Sequence, residues 1–115
     1  MKGKYGESKI MKTRMKANQF YAISLYVKVN APGKKDGEIH CYIDGKLRTK
    51  LTKQYLRGNV EDDTAKIQMV LFHTFHGGSS PSWTPKKNGK PFTCYAYFDN
   101  FAVYEGLNIR RRAGE

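Results

Sequence analysis

No stretch of this 115-residue chain shows a convincing helical stripe. None approaches the roughly 18 uncharged apolar residues that a spanning helix requires, so a helical membrane anchor is excluded. Cysteine is almost missing: Cys41 and Cys94 are the only two. Neither has a partner at metal-site spacing, and both read as buried free thiols that can pair only if their strands are neighbours. Acidic residues are few, 10 Asp+Glu against 21 Lys+Arg, giving a net charge of +11. The N-terminus is basic without the apolar run of a signal peptide, so as written the chain carries no export address. There is one tryptophan, and no internal repeat.

What is present is β-type. Eight tyrosines, six phenylalanines and many Val, Ile and Thr residues favour strands. An apolar content of 39% is that of a folded chain rather than a disordered one. The positive charge is uneven. Residues 1–16 hold Lys2, Lys4, Lys9, Lys12, Arg14 and Lys16 against Glu7, and the last eight hold Arg110, Arg111 and Arg112 against Glu115. Less than half of the excess is left for the body. Such a balance attracts polyanions without choosing among nucleic acid, anionic lipid and acidic polysaccharide.

The pattern divides the chain into a flexible basic lead-in over 1–18, a β domain over 19–106 and a basic tail over 107–115. From Phe20, Tyr21, Ile23, Leu25, Val27 and Val29 alternate with Ala22, Ser24, Tyr26, Lys28 and Asn30, a half-buried strand. Ala31-Pro32-Gly33 through Asp36-Gly37 is rich in turn formers. A second strand follows, with Ile39, Cys41 and Ile43 on one face and His40 and Tyr42 on the other. Asp44-Gly45 is a short-hairpin signal returning Lys46–Leu51 as a third strand. Lys53–Thr64 reads as a polar loop. Ile67, Met69, Leu71, His73 and Phe75 restart the alternation, and the last strand runs from about Phe92 to Tyr104 after a Gly77–Pro91 loop. The fold class is all-β: an antiparallel β-sandwich or partial, concanavalin-like jelly roll of about four to six strands.

Val27-Lys28-Val29-Asn30 stands before a Pro-Gly turn and Asp36-Gly37, and Tyr42-Ile43-Asp44-Gly45-Lys46 and Tyr55-Leu56-Arg57 follow. This order of motifs resembles alginate and glucuronan lyases, polysaccharide lyase families 14 and 20. Thr74-Phe75-His76-Gly77-Gly78, Ser82-Trp83 and Tyr97-Phe98-Asp99-Asn100-Phe101 resemble the closing strands, and Lys4-Tyr5-Gly6 the loop after the catalytic Tyr-x-Tyr. The resemblance implies a β-jelly roll that acts on or binds polyuronate, and it covers only the C-terminal half of such a domain. The family's catalytic lysine, Ser-x-Arg and Tyr-x-Tyr lie in earlier strands and cannot be carried over, so no catalytic residue is assigned. Tyr95-Ala96-Tyr97 has the spacing at the wrong place in the order. His76 stands where the family more often has an aromatic residue. Such families are usually secreted or viral.

β-Elimination on a uronate needs its carboxylate neutralised, the proton on the adjacent carbon taken by a base, and the glycosidic oxygen protonated. Tyr26, Lys28, His40 and Tyr42 project to one side of the first hairpin and form a sugar-binding patch, an ordinary solvated face or a face that packs on the half of the fold not present. Arg57 is a carboxylate clamp or a surface arginine, and Trp83 a sugar platform or a staple onto the sheet. These six are the substrate-binding candidates. His73 and His76, three apart on a strand, face opposite ways and do not suit one metal. Asp99 and Asn100 suit a structural calcium or a cap at the sheet end. Gly77-Gly78 serves turning and close packing, not phosphate binding.

Three functions compete: a lyase-like fragment acting on or binding acidic polysaccharide, a non-catalytic carbohydrate-binding module, and a basic nucleic-acid-binding protein. The last is weakest, because the charge sits at the ends and no RNA-recognition signature is present. A half jelly roll also exposes apolar faces and unpaired edges, so self-association is expected.

Overall fold

The computed structural model describes residues 13–58, 61, 64–74 and 78–115. Lys4-Tyr5-Gly6, the basic residues up to Lys12, Asp62-Asp63 and Phe75-His76-Gly77 lie outside the described residues. The chain is all-β, with five antiparallel strands in two sheets and no α-helix among the described residues. Packing divides it into two units, the described residues of Met1–Ile67 with Ala102–Glu115, and Gln68–Phe101.

The first unit is a three-stranded meander: β1 Ile23–Lys28, β2 Gly37–Ile43 and β3 Lys46–Gln54, in that order across the sheet. Its turns follow from their residues. Asp44 and Gly45, at φ 48° and 74°, form the two-residue turn whose backbone twist matches a hairpin. Asp44 also closes the start of β1, its carboxylate accepting the Ala22 N–H at 2.9 Å and its own N–H donating to Ala22 O at 2.9 Å. Pro32-Gly33 makes the other turn, with Gly33 at φ 67° and Lys34 N donating to Ala31 O at 3.0 Å. A side chain at Gly45 would sit 3.0 Å from Arg111 Cα. Gly45→Val is therefore expected to cost about 1–2 kcal/mol in backbone strain alone and to loosen the C-terminal segment. Thermal melting and carboxypeptidase sensitivity report the two effects.

β3 runs to Gln54, beyond the expected end at Leu51, and its register slips. Ile43 pairs with Lys46 and Tyr42 with Leu47, but Cys41 pairs with Thr49 and His40 with Lys50. Arg48 is the extra residue of a bulge. Directly opposed residues share a face, so Lys50 joins His40 and Leu51 joins Ile39. An unbroken ladder would give the reverse. Thr49 Oγ1, beside the slip, is buried without a hydrogen-bond partner among the described residues.

Burial on β1 shows the exposed apolar face that a half jelly roll implies. Ala22 and Ser24 are buried, whereas Ile23, Leu25 (69% exposed) and Val27 face outward. The C-terminal segment, expected to be a tail, meets the buried side of β1 at Ser24, whose Oγ accepts the Arg110 N–H at 3.1 Å. Its end is folded on itself. The N–H groups of Arg111 and Arg112 donate to the Glu115 carboxylate, and the Arg111 bond foremost holds its pKa below the ordinary value. The cysteines are free, but not buried as expected. Cys41 is half-buried and Cys94 exposed. Burial raises the Cys41 pKa, so its thiol stays protonated and unreactive at neutral pH.

The second unit departs most from expectation. The segments 67–74 and 92–104 form no strand among the described residues. Their apolar side chains remain exposed, so no burial holds a ladder. Asn100, at φ 55°, also interrupts the second segment. Phe72 nevertheless meets Phe98 and Phe101, with ring centroids 4.8 Å from each. Inside the expected Gly77–Pro91 loop, β4 Lys86–Lys87 and β5 Lys90–Pro91 form a small ribbon closed by Asn88-Gly89.

Candidate functional site

Asn30, two residues beyond the end of β1, is fully buried, at 0% exposure. Its Oδ1 accepts the N–H groups of Leu56 and Arg57 at 2.8 and 3.1 Å, and its Nδ2 donates to Ala31 O at 3.1 Å and Gly58 O at 3.5 Å. Its carbonyl receives Arg57 Nε at 2.6 Å, while Arg57 Nη1 donates to Ala65 O at 2.8 Å. The guanidinium is thereby held in one posture by two backbone carbonyls. Both are neutral, so its charge is not cancelled by these bonds.

Arg57 lines an open depression of about 480 Å³ with Tyr26, Lys28, Lys66 and Glu105. Val27, Val29, Ile67 and Gly106 complete the lining. Three cations face one carboxylate. Tyr26 continues the surface along the sheet, opposite His40, with ring centroids 5.1 Å apart. Tyr42 follows, its ring 6.2 Å from that of His40. Lys50 stands opposite His40 on the other side.

The structure thus brings Tyr26, Lys28 and Arg57 to one depression and lays His40 and Tyr42 beside Tyr26. The shared face expected for Tyr26, Lys28, His40 and Tyr42 is present. His40 is buried within it, at 7% exposure, while Tyr26 and Tyr42 are half-buried and Lys28 is exposed. Trp83 belongs to the second unit. It ends the 3-10 turn Pro81–Trp83, rests on Gly78 and stays 66% exposed. Lys66 and Glu105 carried no motif and were missed, and Lys50 was hidden by the register slip. The order of Asn30 before the Pro-Gly turn was visible, but its role was not.

For calcium the residues do not fit. Asp99 Oδ1 accepts the N–H of Asn100 at 2.7 Å, and this pair alone is far short of the six to eight oxygens the ion takes. No cluster of three or more His, Cys, Asp or Glu able to hold a metal occurs among the described residues.

Fold and site together define an antiparallel β protein with a cation-lined, tyrosine-bearing sheet face. A sequence model of polysaccharide lyase 14 matches residues 2–101, and the chain belongs to that family. No curated protein and no solved structure gives a significant match.

Proposed function

We propose that this chain is a lyase-family domain that binds acidic polysaccharide, a polyuronate such as alginate or glucuronan, in the depression between Lys28, Arg57 and Lys66. The observation carrying this reading is the fixed guanidinium of Arg57, placed by two uncharged carbonyls among two further cations. A planar, pre-oriented guanidinium suits the fork of a carboxylate, and Tyr26 offers a ring face to the sugar. Its motifs resemble strands that follow the family's catalytic lysine, Ser-x-Arg and Tyr-x-Tyr, so binding is the part of the family's work that they support.

Calorimetric titration with alginate, glucuronan, a neutral glucan and single-stranded DNA tests the reading. Binding to the polyuronates that weakens with salt, with none to the neutral glucan, is expected. Equal binding to the neutral polymer, or preference for DNA, overturns it.

A second copy of the chain is the proposed partner of the apolar side of the sheet. Ile23, Leu25 and Val27 stand exposed there on β1, which is also a sheet edge. Edge pairing about a two-fold axis would satisfy the free backbone of β1, and packing of the two apolar faces would bury Ile23 and Leu25. Leu25→Lys is expected to shift the sedimentation profile towards monomer; an already monomeric wild type would refute the pairing.

A further inference from the structure

The β4–β5 ribbon carries a charge conflict that its own residues do not resolve. Lys87 and Lys90 stand directly opposite each other across the Asn88-Gly89 turn, and Lys86 pairs with Pro91 one rung back. Like charges directly opposed on a ladder destabilise it. All three lysines are exposed, and no ion pair relieves them among the described residues. The unit Gln68–Phe101 holds a single carboxylate, Asp99, and its Oδ1 accepts the Asn100 N–H at 2.7 Å. Pairing continues one rung beyond the strands, where Phe92 N donates to Pro85 O at 3.1 Å. Alternation therefore sets Pro85 and Phe92 on the same face as Lys87 and Lys90. Phe92 is 45% exposed there. Trp83 is fixed just before the ribbon. Its N–H donates to Ser80 O at 3.0 Å, Thr84 N donates to Pro81 O at 3.1 Å, and its ring lies against Gly78. The exposed indole is thus held in a set posture beside three unpaired cations.

We propose that this ribbon is a docking site for an anionic lipid surface, with Lys86, Lys87 and Lys90 at the headgroups and Trp83 and Phe92 entering the interface. Charge complementarity carries the choice of partner, since negative headgroups relieve the repulsion between Lys87 and Lys90. An acidic polymer in water would relieve it too, but it has no use for a phenylalanine on the rung beside the lysines. A bilayer interface takes both. Aromatic side chains settle at headgroup level with their apolar bodies inward, and lysines keep their charge in the water above. A negative leaflet strengthens partition about fivefold for each lysine brought to it. Three lysines multiply to about a hundredfold, and the aromatic pair adds to that. Contact of this kind lies on the membrane rather than across it, and it is reversible. None of these residues lines the depression on the three-stranded sheet, so the site stands whether or not polyuronate binds there.

Trp83 is the sole tryptophan, so its emission reports on this place alone. The full chain is mixed with vesicles of phosphatidylcholine, and with vesicles of phosphatidylcholine containing phosphatidylserine. A blue shift of Trp83 emission is expected with the second kind only, reversed by added salt and quenched by lipids brominated on the acyl chain. Lys87→Gln is expected to lower partition about fivefold, and Lys87→Gln/Lys90→Gln about 25-fold. Both lysines are exposed, and circular dichroism checks that the fold is kept. Co-sedimentation with the acidic vesicles without a change in Trp83 emission would place lipid binding on other basic residues and overturn the proposal. So would an equal shift on both kinds of vesicle, no partition to either, or a double variant that partitions like the wild type. A shift produced by alginate and not by vesicles would make the ribbon a polymer contact instead.

Discussion

Asn30→Ala is expected to be the most damaging single change in the chain. The side chain satisfies two backbone N–H groups, Leu56 and Arg57, and donates to two carbonyls, Ala31 and Gly58. Alanine supplies none of these bonds, and the site is closed to water. Each orphaned buried group costs about 1–3 kcal/mol, so the two amides alone account for roughly 2–6 kcal/mol. A domain of this size has a stability of about 5–15 kcal/mol in total, and a small core places it low in that range. Urea denaturation should show a large drop in midpoint or no folded baseline at 25 °C. An unchanged midpoint would mean that the 55–58 segment is not tied to β1 in solution. Because Asn30 also holds Arg57, milder substitutions there should weaken polymer binding before they unfold the protein.

The second large effect concerns Arg57 directly. Arg57→Gln should weaken polyuronate binding about tenfold or more, since a charge-assisted hydrogen bond contributes about 1.5–3 kcal/mol. Lys28 and Lys66 are open to solvent, and loss of either should cost only about 0.2–1 kcal/mol of binding. Arg57→Lys separates charge from posture. It keeps the cation but cannot bond Asn30 and Ala65 while presenting a fork, so it should restore affinity only in part. Glu105→Gln provides the opposite sign: removing the one carboxylate of the lining should tighten binding severalfold and steepen its salt dependence. A purely structural role for the depression predicts no such gain. Calorimetry at two ionic strengths, with circular dichroism to confirm folding, distinguishes the cases. Equal affinity for the wild type, Arg57→Gln, Arg57→Lys and Glu105→Gln would place binding elsewhere.

The two effects are linked by one chain of contacts. The chain just beyond β1 supplies a buried amide, the amide organises residues 55–58, and that segment delivers a guanidinium to the sheet face. The apolar set of the same strand contributes only Val27 and Val29 to this site. Its exposed Ile23 and Leu25 instead mark where a further layer or a second copy would bury surface.

Much of this was legible from residue order. Alternation marked β1 and β2, Asp44-Gly45 and Pro32-Gly33 declared their turns, and parity alone put Tyr26, Lys28, His40 and Tyr42 on a common side. These are local matters of φ preference and a two-residue period. Tertiary structure decided the rest. Alternation says which side chains share a face but not what meets it, and the C-terminal segment meets the polar one at Ser24. A single extra residue at Arg48 exchanged Lys50 and Leu51 between faces, a slip that no periodicity reveals. Arg57 became a fixed cation only because Asn30, remote in sequence, spends its hydrogen bonds there. The segments 67–74 and 92–104 have strand-like composition but no ladder, because composition cannot supply the neighbour against which a strand is stabilised.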